Sequence, residues 1–227
     1  MLNVKNTMID KMLAFVAPHP CSGCGYIGST FCDNCKYDIR HEPFLGCILC
    51  EKPTVLGICD DHKVAFNQAS VVGVRSGALQ RLIGGFKFRN MKEAAYDLGD
   101  LLNTALPSLP IDTVLVPIPT TPAHIRERGY DHMQLIASQV GKLRHLPVKR
   151  LLVRDNMLTQ HRATRKERFH QAASAFKVVG EVNHKTTYVL LDDIITTGAT
   201  IQQAAALLKQ AGAQTIYVAA IARQPLD

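Results

Sequence analysis

The run Tyr188-Val-Leu-Leu-Asp192-Asp193-Ile-Ile-Thr196-Thr197-Gly198-Ala199-Thr200 constrains the fold of this chain more than any other stretch. An apolar strand reaches two acids and passes within a few residues, through a small hydroxyl-rich loop, into the helical run Ile201 to Lys209. A strand feeding a helix in this way is the unit of a parallel α/β sheet, whose ligands sit at the carboxyl ends of the strands. The residues Thr196, Thr197, Gly198, Ala199 and Thr200 are expected to open the helix. There the first backbone N–H groups lack partners and the helix dipole favours an anion. Gly198 lets a ligand come close to the backbone, and the threonine hydroxyls add donors. Asp192 and Asp193 would repel a phosphate, so their expected partners are ribose hydroxyls and a divalent cation bridging the polyanion. The string reads as a site for a phosphorylated sugar.

Strand and helix patterns alternate along the second part of the chain. Ser70 to Val74, Asp112 to Pro119, Val148 to Val153, Tyr188 to Leu191 and Thr215 to Ala222 read as strands. Leu79 to Phe88, Lys92 to Leu106 and Met133 to Leu143 have helical spacing, and Pro107-Ser-Leu-Pro110 ends the second of these. Alternation of this kind predicts a parallel sheet flanked by helices, doubly wound with right-handed crossovers.

The front of the chain is different in texture. Residues 18–62 are dense in Cys, Gly and Pro and contain Cys21-x-x-Cys24, Cys32-x-x-Cys35, Cys47-x-x-Cys50 and Cys59-x-x-His62. Each pair can aim both side chains at one centre, and eight ligands suit two tetrahedral zinc ions. The simplest pairing is sequential, Cys21 and Cys24 with Cys32 and Cys35, and Cys47 and Cys50 with Cys59 and His62. Crossed pairing, a single ion and redox use of the C-x-x-C turns stay open. A module this small buries too little apolar surface to hold itself, which zinc can remedy. Its core is expected to be separate from that of the α/β domain. The resulting division is an N-terminal segment 1–17, a double zinc ribbon 18–65 and an α/β domain 69–227.

Seven cysteines, mostly in C-x-x-C pairs, suit metal binding in a reducing compartment, so the expected location is cytoplasmic. No apolar stretch has the length of a membrane span, and no signal peptide is read. The net charge of +7 is uneven. Residues 1–68 hold six Lys or Arg against seven Asp or Glu, so the basic excess lies in the remainder. Arg150, Arg154, Arg162, Arg165, Lys166 and Arg168 crowd one stretch, opposed by Asp155 and Glu167. Such a cluster attracts pyrophosphate or nucleic acid, and a solvated charged loop is the other reading.

Asp192-Asp193 followed by Thr196 to Thr200 resembles the phosphoribosyl-pyrophosphate (PRPP) loop of type I phosphoribosyltransferases. With the cysteine pairs, nearly the whole chain resembles the ComF family (ComFC/GntX-like proteins). Val116-Pro-Ile-Pro119 followed by Arg126-Glu-Arg128-Gly-Tyr-Asp131 is similar to that family's proline-rich strand end and Arg-Gly-aromatic-Asn pattern, with Asp131 in place of Asn. Leu82 to Phe88 resembles its Leu-Lys-aromatic element and would bring Lys87 to the site. Gln160, Arg168, Ala175 and Phe176 match a further family segment, from which Ala163 and Gln171 depart. His62 stands where the family usually has cysteine.

The resemblance implies a type I phosphoribosyltransferase-like domain behind a double zinc ribbon, binding PRPP with Mg and acting as a glycosyltransferase. Asp192, Asp193, Arg126, Arg128 and Lys87 would form the catalytic set, the two arginines gripping pyrophosphate. The segment with Arg162, Arg165, Lys166 and Arg168 would close as a lid or meet single-stranded DNA. A role in DNA uptake and natural transformation (competence), beside the DNA-uptake machinery, is implied too. The alternative is an accessory protein that senses PRPP or grips single-stranded DNA without turnover.

Overall fold

The computed structural model describes residues 19–154 and 176–226. In chain order its elements are α1 (Asp33–His41), β1 (Gln68–Val74), α2 (Gly77–Phe88), α3 (Ala94–Ala105), β2 (Val114–Pro117), α4 (Pro122–Arg128) and α5 (His132–Arg144). After these come β3 (Leu152–Arg154), β4 (Phe176–Val178), β5 (Thr187–Ile195), α6 (Ala199–Gln210) and β6 (Thr215–Arg223). Strands β1, β6, β5 and β2 form one parallel sheet in that spatial order, flanked by helices as the alternation predicts.

β5 is one of the two inner strands, and its apolar run follows from burial on both faces. Side chains alternate along it. Val189 and Leu191 meet α2, α3 and α5 in one core, whereas Tyr188 and Leu190 meet α6 in the other. Thr121 caps α4 by accepting from the His124 N–H, Pro122 opens the helix, and Gly129 ends it with φ 75°. Asp131 caps α5 in turn, accepting from the Gln134 N–H.

Three expectations about the elements are corrected. β5 does not end at the acids but continues to Ile195, because Asp192 pairs with Ala220 and Ile195 with Arg223 across β6. Helix α6 then starts at Ala199, with Gly198 as its cap, so Thr196 and Thr197 precede the helix rather than open it. Val148 to Val153 is not one parallel strand either. Val148 bridges Leu115 in parallel, after which Arg150 is drawn to Gln134, and Leu152–Arg154 pairs antiparallel with Phe176–Val178.

The cysteine-rich region shares its core with the α/β domain, against the expectation of separate cores. Fully buried Phe31 joins Leu79, Leu82 and Leu98, while Ile48 and Phe66 join Val71, Leu190 and Val218. Polar contacts reinforce the docking. Arg81 donates to the carbonyls of Ser22 and Gly23 at 2.7 and 2.8 Å, Lys36 pairs with Asp97 at 2.8 Å, and Arg40 with Asp100 at 2.7 Å. Among the described residues no helix is long and apolar enough to cross a membrane.

Candidate functional site

At the carboxyl end of β5, the backbone alternation sends Asp192 and Asp193 to opposite faces. Asp193 is buried and lies where the ends of α2 and α5 converge. Lys87, in the last turn of α2, places Nζ 2.7 Å from Oδ2 of Asp193. His132, the first residue of α5, directs Nε2 at the same oxygen. Both contacts fall on the one oxygen, Oδ2.

His132 is the site residue that sequence reasoning missed. Its Nδ1 lies 3.0 Å from Nη1 of Arg128 and 3.1 Å from the Thr120 hydroxyl. A guanidinium can only donate, so Nδ1 accepts and the ring proton sits on Nε2, facing Asp193. The Thr120 hydroxyl donates to Oδ1 of Asp131 at 2.9 Å. Asp131 also receives the α5 cap bond from Gln134 and has Arg150 at 3.7 Å. An Asp at 131 thus serves the cap that an Asn would serve. The signal available in the sequence was position alone: residue 132 directly follows the Arg-Gly-Tyr-Asp run.

This arrangement separates the two acids electrostatically. Burial and the neighbouring Asp193 charge raise Asp192 from 3.8 to about 8. Burial also acts to raise Asp193, but the His132 hydrogen bond and the Lys87 ammonium outweigh it and hold the group at about 2. Arg154 lies in the range of the Asp192 charge, donates Nε to the Pro119 carbonyl at 2.9 Å and stacks over Phe176. The pair can therefore present one anionic acceptor and one protonated acid, on opposite faces of β5.

Of the expected catalytic residues, the structure brings Asp193, Lys87 and Arg128 into one contact network, beside Asp192 in the chain. Arg128 faces His132 and the Phe88 ring rather than standing free for a phosphate. Arg126 is exposed on α4. Gly198 has φ 76°, the left-handed region open to glycine, and Thr196, Thr197, Ala199 and Thr200 are exposed around it. The expected nucleic-acid residues Arg162, Arg165, Lys166 and Arg168 lie outside the described residues.

The eight metal-ligand candidates fall into two groups, with the sequential pairing. In each, the ligand atoms lie within 4.8 Å of one another. Zinc bound to sulfur at about 2.3 Å makes a tetrahedron with an edge of about 3.8 Å. Cys21 and Cys35 stand 3.7 Å apart, Cys24 and Cys32 3.6 Å, Cys50 and Cys59 3.5 Å, and Cys47 and His62 Nδ1 3.7 Å. Burial acts to raise the Cys21 thiol, but backbone N–H groups of Cys32 and Gly23 aimed at its sulfur bring it down to about 6. Both groups could hold zinc.

No protein-family model matches the chain. It is 26% identical to competence protein F of Haemophilus influenzae, over 85% of this chain and 90% of that protein. It is likewise 26% identical to competence protein ComFC of Bacillus subtilis, over 80% and 78%. A 51-residue stretch, 22% of the chain, is 45% identical to a ribose-phosphate pyrophosphokinase of Nostoc, of which it spans 15%. The solved structure of glutamine phosphoribosylpyrophosphate (PRPP) amidotransferase from B. subtilis superposes on 57% of the chain at 19% identity and TM-score 0.41, and the overlap is 26% of that larger chain. Competence protein F and competence protein ComFC are thus homologues of this chain over four-fifths or more of its length.

Proposed function

We propose that this protein binds PRPP at the carboxyl end of β5, as a phosphoribosyltransferase-like member of a DNA-uptake pathway. The observation that carries the reading is the split pair of acids. Asp193 is fixed through Oδ2 by Lys87 and His132, so its carboxylate is held in place to accept from a ribose hydroxyl, three residues before the loop Thr196 to Thr200 that would take the anion. Lys87 supplies a cation at the site, and Arg154 offers a second beside Asp192. Mg bound with PRPP would neutralise the leaving pyrophosphate. Residues 18–65 form the zinc module in this reading and 69–227 the PRPP domain. The local likeness to a ribose-phosphate pyrophosphokinase supports a phosphoribosyl ligand.

A second reading keeps the competence role that the relatives' names suggest and makes the protein an accessory that senses PRPP or grips single-stranded DNA without turnover. Titration of the zinc-loaded protein with Mg-PRPP, followed by pyrophosphate detection over a panel of bases and DNA, separates the two. Saturable binding with pyrophosphate release supports the transferase, binding alone supports the sensor, and no binding in parent protein removes both PRPP readings. Asp193→Asn should weaken PRPP binding by roughly tenfold or more, the scale for losing a hydrogen bond to a charged group.

A further inference from the structure

The second cysteine cluster reaches into the anion loop. Leu49, between the ligands Cys47 and Cys50, packs its Cδ2 so closely on Gly198 that a Cβ there would overlap it. One residue past the cluster turn, Glu51 accepts from the Leu226 N–H at 3.0 Å and faces Arg223 Nη2 at 3.8 Å. Arg223 ends β6 and is 1% exposed. Its Nη1 donates to the carbonyl of Ile195, the last residue of β5 before the loop. Its Nε and Nη2 have no hydrogen-bond partner among the described residues. A buried guanidinium so placed depends on nearby negative charge. Glu51 is one source, and the Cys47 thiolate is in electrostatic range. Three thiolates and one imidazole around zinc leave that centre net negative, so the loaded cluster would supply the counter-charge.

We propose that the second metal knuckle positions the anion loop, with Leu49 as its wall and the Glu51–Arg223–Ile195 chain as its tether, so that ligand binding at Thr196 to Thr200 depends on the Cys47–Cys50–Cys59–His62 centre but not on the Cys21–Cys24–Cys32–Cys35 centre. The inference rests on reading those residues as the anion loop. The first cluster makes its contacts elsewhere, through Arg81 on α2 and through Lys36 and Arg40 to α3. An order-dependent loop of this kind changes ligand affinity by the usual range of site-to-site coupling, about fivefold or more.

The test compares full-length zinc-loaded parent with Leu49→Ala, Glu51→Gln and, as the control on the first cluster, Arg81→Ala. Amide exchange at Thr196 to Thr200 is read by mass spectrometry beside zinc content and Mg-PRPP affinity. Leu49→Ala and Glu51→Gln should speed exchange in the loop and weaken Mg-PRPP about fivefold or more with both zinc ions retained. Arg81→Ala should change neither. Unchanged loop exchange in both knuckle variants, or an equal change in Arg81→Ala, overturns the proposal. Should Leu49→Ala fail to fold, Glu51→Gln alone decides, since it keeps an acceptor for the Leu226 N–H. Exchange needs no ligand, so failure of the parent to bind PRPP would refute the functional reading while the coupling is still decided.

Discussion

His132 holds the single carboxylate oxygen of Asp193 that Lys87 also holds, and Arg128 fixes which of its ring nitrogens faces that oxygen. Three residues from α2, α4 and α5 thereby set the direction of one carboxylate on β5. Replacing His132 by Ala removes a buried hydrogen bond to a charged group and strands Arg128, so urea denaturation should show a loss of about 1.5–3 kcal/mol. Nitrogen-15 spectra of the parent should place the His132 proton on Nε2. A proton on Nδ1, or a stability change within about 0.5 kcal/mol, would contradict the arrangement.

The two aspartates make opposite demands on pH. Asp193, held at about 2, contributes stability that is present above its ordinary value of 3.8 and is lost as pH falls toward 2. Asp192, raised from 3.8 to about 8, binds its proton more tightly when folded, so its contribution declines as pH climbs from about 4 to about 8. In metal-free buffer Asp192→Asn should therefore gain stability relative to the parent at pH 8–9 and show little gain near pH 4. Equal pH slopes for parent and variant in chemical denaturation would refute the assignment.

Much of this fold is written in local patterns. The run Tyr188 to Leu191 betrays an inner strand because both faces are buried, and the C-x-x-C turns betray candidate metal sites because each turn fixes two ligands at once. What the pattern cannot carry is long-range pairing. The continuation of β5 through Asp192 and Asp193 depends on Ala220 to Arg223 lying alongside, and polar residues in a strand give no periodic signal for that. His132 was hidden for a related reason: its role comes from the meeting of α5 with Asp193, 61 residues away. The shared core escaped because Phe31 and Ile48 sit in short cysteine-flanked stretches with no strand or helix period, and their partners on α2, β1 and β6 are distant in the chain.

That shared core changes what loss of zinc should do. Structural zinc contributes about 10–16 kcal/mol of folding-coupled binding in finger peptides, which matches or exceeds the roughly 5–15 kcal/mol net stability of a domain. With Cys21, Cys35, Phe31 and Ile48 built into the cores of the sheet, Cys50→Ser or excess chelator should destabilise the whole chain. Thermal unfolding followed by far-ultraviolet circular dichroism and by zinc release should coincide. A sheet that melts unchanged after zinc has left would show that the cores act independently.

Binding to single-stranded DNA is the remaining expectation, and it rests on charge. The basic excess lies beyond residue 68, and Arg162, Arg165, Lys166 and Arg168 are concentrated in one stretch of the sequence. Within the described residues Arg150 donates to Gln134, and Arg154 lies in the range of the Asp192 charge, at the site proposed for PRPP. Each phosphate neutralised on a single strand releases counterions and adds about 0.7 to the slope of log affinity against log salt. Arg165→Ala with Lys166→Ala should therefore weaken binding and flatten that slope by about 1.4, if each residue meets one phosphate. If both polyanions use Arg154, Mg-PRPP should compete with the oligonucleotide. Fluorescence anisotropy with a labelled strand decides the matter. Absence of binding at low salt, or binding indifferent to salt and to the double substitution, would return the cluster to a pyrophosphate lid or a solvated loop.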